Sequence, residues 1–288
     1  MSDVVMQMPE LARMVGDEQE PVKHLVRASR GRSVKIALMG PAGSGKSTLL
    51  NALVSAVAGG YRHVQDAGNG FGDKGQRTLA ARLIRLLDMA LDLVPEEAAD
   101  MEVNLWDLVG HRTAQELNVM LSGRVRSGEL FPEQTDLRKL CEVLQRPVTA
   151  RDAAHCVIVL VPAGTLDSCA EPPPYIVDAI DVARKYQANT PDVHVLPLIL
   201  VITKIDEWTG AQGHDRSILL ERAGDLAFLF SKAAEWGFQG NMVFPMGFLD
   251  SGAVDYADAE DPCVAALKYL LVHATRTSRL FQQDLPLA

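Results

Sequence analysis

Residues 40–48, GPAGSGKST, place three glycines, a lysine and three hydroxyl side chains directly behind the apolar run VKIALM. The spacing Gly40-x4-Gly45-Lys46-Ser47 lets a backbone curl so that successive N–H groups point inward at phosphate oxygens, while the helix that follows adds its positive end. In that arrangement Ala42, Gly43, Ser44 and Thr48 complete the cradle and Lys46 reaches the outer phosphates. Ser47 offers its hydroxyl to Mg²⁺, a hard cation that prefers oxygen ligands. The chemistry implied is the grip of a nucleoside triphosphate tail, with the base still open. A glycine turn that merely caps a helix is the plainer alternative, and a strand before the loop with a helix after it weighs against that.

In open α/β sheets, ligand groups gather at the carboxyl ends of strands. Two further sets of residues stand where such ends are expected. Asp107 closes VNLWD and opens DLVG, which resembles the D-x-x-G motif of GTPases: the carboxylate holds Mg²⁺ through water, and the Gly110 N–H senses the terminal phosphate. TKID, Thr203 to Asp206, closes a second apolar run and resembles the [NT]-K-x-D motif that selects guanine. A carboxylate at Asp206 can accept two hydrogen bonds, from guanine N1–H and the 2-amino group. Adenine offers neither donor on that edge, and a polar site left without its partners discriminates strongly. Lys204 would lay its aliphatic stem along the base. Met246 and Gly247, after VFP, stand where GTPases often place a base-contacting loop, an agreement of position only.

Hydrolysis asks for more: a positioned water and compensation of the charge that spreads over the γ-phosphate oxygens. Thr78, after a glycine-rich stretch, is the candidate switch threonine that completes the Mg²⁺ shell. His111, directly after Gly110, is the candidate that orients the water, as in GTPases of the translation-factor kind. Arg77 and Arg112 are near enough in sequence to be considered as charge partners. With no evident arginine supplied in cis, intrinsic turnover of GTP to GDP and phosphate is expected to be slow and to depend on a protein effector or a homodimer for acceleration. A non-hydrolysing, GTP-dependent interaction module is the alternative reading, and an ATPase or small-molecule kinase on the same loop is a third.

Glycine loop, switch threonine, D-x-x-G and T-K-x-D in this order resemble a Ras-like GTPase domain. A closer resemblance is to the interferon-induced protein 44 family, carried by GPAGSGKSTLLNAL, by RT ahead of a β-rich stretch, by LSGRVRSGELF, by AHCVIVLVPAG and by FQQDLP near the end. That resemblance implies a cytoplasmic, GTP-binding or GTPase-like protein linked to defence responses, with binding more secure than catalysis.

These residues need elements to position them. SVKIALMG reads as a strand and KSTLLNALVSAV as a helix stopped by Gly59 and Gly60. Residues 59–77 read as a mobile, glycine-rich loop. TLAARLIRLLDMALDLV is ambiguous, with a strand expected at its start. MEVNLWDLVG, AHCVIVLVPAG, VHVLPLILVITKID and MVFPMG read as strands, and the second and third are continuous apolar runs of the kind buried on both faces. RTAQELNVMLSGRV, PYIVDAIDVARKYQA, SILLERAGDLAFLFSKAAEWG and PCVAALKYLLVHATRTSRLF read as helices. Alternating strands and helices imply a three-layer α/β domain of the P-loop kind, a mostly parallel sheet with helices on both faces. The expected division is an N-terminal helical extension at 1–32, a nucleotide-binding domain at 33–276 with an insertion near 128–152, and a tail at 277–288.

Composition narrows the classes. A net charge of −9 argues against a general binder of nucleic acid or anionic membrane, which needs clustered Lys and Arg. The longest apolar stretch, LPLILVI, is far short of a membrane span, and MSDVVMQMPELARM lacks the order of a signal peptide. A soluble, intracellular chain is expected. Cys141, Cys156, Cys169 and Cys263 show neither zinc-type spacing nor the density of a disulfide scaffold, so buried reduced thiols are expected.

Overall fold

The computed structural model describes residues 33–64, 82–85, 103–108, 114–125, 137–146, 153–186, 195–209, 223–247, 254–258 and 261–284. The N-terminal extension at 1–32 lies outside the described residues, as does most of the 128–152 insertion.

Six strands form one sheet: β1 (Val34–Met39), β2 (Arg82–Arg85), β3 (Val103–Asp107), β4 (Cys156–Pro162), β5 (Leu198–Thr203) and β6 (Val243–Pro245), in the order β2-β3-β1-β4-β5-β6. β1, β3, β4, β5 and β6 pair in parallel, and β2 pairs antiparallel with β3 along one edge. The strand expected at the start of the 78–94 stretch is therefore present, at Arg82–Arg85. The central strands read as unbroken apolar runs because both of their faces are covered. Ile36, Leu38, Leu105, Ile158, Leu160 and Val201 enter one core, while Ala37, Met39, Trp106, Val159, Val161 and Ile202 enter the other.

Helices supply the outer layers. On the first face lie α1 (Lys46–Ala58), through Leu49, Leu50 and Leu53, and the long α8 (Pro262–Asp284), through Leu267, Leu270 and Leu271. On the second lie α2 (Ala114–Leu121), α4 (Ala163–Ser168), α5 (Pro174–Arg184) and α7 (Ala223–Glu235), with α3 (Leu137–Leu144) placing Val143 at the margin. α6 (Ile205–Thr209) follows β5 directly. Local chemistry fixes the helix ends. α5 starts on Pro174, whose ring suits a first helical position. α8 starts on Pro262 after Asp261, whose carboxylate accepts the Cys263 N–H at 2.8 Å. The connections of α/β sheets run right-handed, and here the strand order reverses at β1. The crevice therefore opens at the carboxyl end of β1.

Three expectations need correcting. Residues 277–284 are no tail: α8 runs through them, Phe281 packs on Tyr186, and the Gln282 amide donates to the Ser33 carbonyl at 2.8 Å. The start of the 59–77 loop is anchored along α1, where the N–H groups of Arg62 and Val64 donate to Ser55 Oγ and Asn51 Oδ1. Polar side chains on the buried side of α1 make this possible. All four thiols are free, but only Cys156 is buried, and Cys141 is exposed on α3.

Candidate functional site

The 40–48 loop leaves the end of β1 and turns at Ala42 and Gly43, with the Ser44 N–H returning to the Pro41 carbonyl at 3.2 Å. Gly40 passes so close to β4 that an added Cβ would lie 2.9 Å from the Leu160 carbonyl oxygen and 2.6 Å from Ser44 Oγ. No side chain fits there. Gly45, at φ 90°, takes the left-handed conformation that starts α1, which an L side chain resists. The first-turn N–H groups of α1, including those of Lys46, Ser47 and Thr48, have no acceptor within a helix that starts here and are available to an anion.

The Lys46 ammonium lies inside this curl and donates to the Gly40 and Pro41 carbonyls at 2.8 and 3.0 Å. Burial pulls its pKa below the ordinary lysine value, and the nearby Asp107 carboxylate acts in the opposite direction. Asp107 is fully buried at the end of β3. The Leu108 N–H donates to the Leu38 carbonyl at 3.1 Å, which holds the ends of β3 and β1 side by side. Ser47 Oγ consequently approaches Asp107 Oδ2 at 3.4 Å. A hydroxyl and a carboxylate meeting beside a lysine form the hard-oxygen donor set that Mg²⁺ prefers, so the residues present fit that ion.

At the end of β5, the Thr203 hydroxyl donates to the Ser44 carbonyl at 2.8 Å and so ties the T-K-x-D segment to the glycine loop. Lys204, at φ 57°, is the one non-glycine residue with positive φ among the described residues. This left-handed step turns the chain from strand into α6, and puts Asp206 in the first turn of that helix. The Met246 N–H donates to the Ile202 carbonyl at 2.7 Å and extends the β5–β6 pairing past Pro245. That extension brings Gly247 against Asp206, where an added Cβ would sit 3.3 Å from Oδ1. Gly40, Gly45, Lys46, Ser47, Asp107, Thr203, Lys204, Asp206, Met246 and Gly247 thus lie at the carboxyl-terminal end of the sheet. Thr78, Gly110 and His111 lie outside the described residues, as do Arg77 and Arg112.

Three contacts beside these residues escape a motif reading. The Glu207 carboxylate holds the Lys204 ammonium at 2.9 and 3.1 Å. The Trp208 indole N–H donates to Asp167 Oδ2 at 3.0 Å, which links α6 to α4. Tyr175 donates to the same Leu160 carbonyl that crowds Gly40, at 3.4 Å. The sequence TKIDEW offered a signal for Glu207, whose carboxylate falls within reach of Lys204 once Lys204 starts a helical turn. Nothing in the sequence pointed to Tyr175 or Asp167.

The molecule is a three-layer α/β protein whose mostly parallel sheet carries these groups at the carboxyl ends of its strands. Neither the protein-family models nor the curated proteins compared with the chain gave a match. Among the described residues, no helix is long and apolar enough to cross a membrane.

Proposed function

We propose that this chain binds GTP and GDP with Mg²⁺ and hydrolyses GTP slowly, as a nucleotide-dependent switch on a Ras-like domain. One observation carries the reading: Thr203 Oγ1 donates to the Ser44 carbonyl at 2.8 Å, so the amide-rich loop and the carboxylate segment lie side by side, as a shared nucleotide site requires. The strand order, with its antiparallel β2 and its reversal at β1, supports the domain assignment. Kinship with the interferon-induced protein 44 family belongs to the same proposal and rests on the stretches quoted from the sequence.

In this reading the backbone N–H groups of the 40–48 loop and the Lys46 ammonium bind and orient the phosphates. Ser47 and Asp107 hold Mg²⁺, which when bound draws charge from the phosphate oxygens. Asp206 accepts both hydrogen bonds of the guanine edge, while Lys204, braced by Glu207, covers the base. The Asp107 carboxylate and the phosphate oxygens pull Lys46 toward its charged form, against its burial. Thr78 and His111 keep their proposed parts in completing the metal shell and orienting water.

The test is calorimetric titration of the purified protein with GDP and ADP in Mg²⁺, followed by phosphate release from GTP. Preference for GDP, with release that disappears in Lys46→Ala, supports the reading. Equal affinity for the two nucleotides overturns the guanine assignment. Tight GTP binding without release leaves the alternative, a non-hydrolysing interaction module.

A further inference from the structure

Gly247 stands apart from the other glycines near the cleft, because what it approaches is the proposed recognition carboxylate itself. A Cβ at this position would lie 3.3 Å from Asp206 Oδ1, 3.4 Å from its backbone nitrogen and 3.7 Å from its Cβ. All three atoms belong to one residue held at the start of α6, where Ile205 on one side is buried and Thr209 back-bonds to the Asp206 carbonyl at 3.2 Å. The other wall is equally fixed, since the Met246 N–H donates to the Ile202 carbonyl at 2.7 Å. The contact with Oδ1 is tighter than ordinary van der Waals packing, so one wall must give by a few tenths of an ångström, and the carboxylate is the part that turns most easily.

We infer that Gly247 is a positioning residue for base selection: its missing side chain leaves room for the Asp206 carboxylate to lie in the plane of a purine's donor edge. This rests on the guanine reading above. A carboxylate that accepts two parallel hydrogen bonds is sensitive to rotation, because turning it out of plane weakens both together. A methyl group at residue 247 presses on Oδ1 and turns the carboxylate slightly, so the cost falls on the base edge and spares the phosphate loop.

GDP and IDP differ only in the 2-amino group, so their affinity ratio isolates one hydrogen bond to Asp206. In the parent protein with Mg²⁺, GDP is expected to bind about tenfold or more tightly than IDP, as suits a hydrogen bond to a charged acceptor. Gly247→Ala should bring that ratio toward one. Gly164→Ala, whose added Cβ meets nothing within 4 Å, should keep it. In an Asp206→Ala background, Gly247→Ala should change GDP affinity by less than about twofold, because the carboxylate it would turn is gone.

An unchanged ratio in folded Gly247→Ala, or an equal loss for both nucleotides, overturns the inference and leaves the guanine reading standing. A parent ratio of one overturns the guanine reading and the inference with it. Should Gly247→Ala fail to fold, adding Asp206→Ala should restore the thermal transition by removing the opposed carboxylate. Failure of that rescue overturns the inference.

Discussion

Thr203 Oγ1 donates to the Ser44 carbonyl at 2.8 Å across a sequence separation of 159 residues. Both residues are buried, so the bond is shielded from water and an orphaned carbonyl would be costly. Thr203→Val keeps the shape and removes the donor. We expect a loss of about 1–3 kcal/mol in stability and several-fold weaker GDP binding, measured by denaturant unfolding and calorimetric titration.

Lys46→Met retains the aliphatic stem and discards the charge. Triphosphate affinity should fall by about a hundredfold, the size of a charged hydrogen bond to phosphate. The thermal midpoint should hold or rise, because a buried ammonium is itself costly. The pH dependence has a definite sign. Between its lowered native pKa and the ordinary 10.5, Lys46 binds more protons in the unfolded chain, so the parent gains stability as pH rises through that window. The methionine variant should lack that gain in urea titrations at stepped pH.

Asp206→Asn replaces an acceptor pair by one acceptor and one donor. Xanthine carries a carbonyl where guanine carries the 2-amino group, so the asparagine amide matches it. The variant should prefer xanthosine diphosphate over GDP, a reversal on the order of a hundredfold or more, read by competition between the two nucleotides. An unchanged preference for GDP would place base selection elsewhere.

Cys156 is fully buried on β4, and that burial pushes its thiol from 9.0 up to about 12. Between those values the unfolded thiol ionises while the native one does not, so stability present below about pH 9 is lost as pH rises. Tyr186 is displaced upward by the same cause. Cys156→Ala should shallow the alkaline limb of the stability profile while leaving nucleotide affinity unchanged.

Phe281 and Gln282 fasten the end of α8 to the base of the sheet, through Tyr186 and the Ser33 carbonyl. Phe281→Ala should cost about 3–5 kcal/mol in chemical denaturation. A stability change within error would show this end of the helix to be dispensable, as a tail would be.

Much of the site was legible because its chemistry is local. Gly40 to Thr48 read as one loop, and Asp107 and Thr203 each close a run of apolar residues whose burial a reader can foresee. What escaped depends on contact between distant segments. That Thr203 would reach Ser44, or Gly247 touch Asp206, follows from strand register, which no single stretch encodes. The boundary at 277 cuts through PCVAALKYLLVHATRTSRLF, whose periodicity reads as one helix although its last turns are rich in polar residues. In fact the hydroxyls of Thr275 and Ser278 bond back to the carbonyls of Leu271 and Ala274, which lets a polar-looking helix bury that face.

The bond between Trp208 and Asp167 gives the chain a built-in optical probe. Trp106 and Trp236 are buried, while the half-buried Trp208 indole stands two residues from Asp206. If the proposed nucleotide settles beside Asp206, the indole's surroundings change with it, and a shift in long-wavelength emission on titration with GDP is the expected outcome.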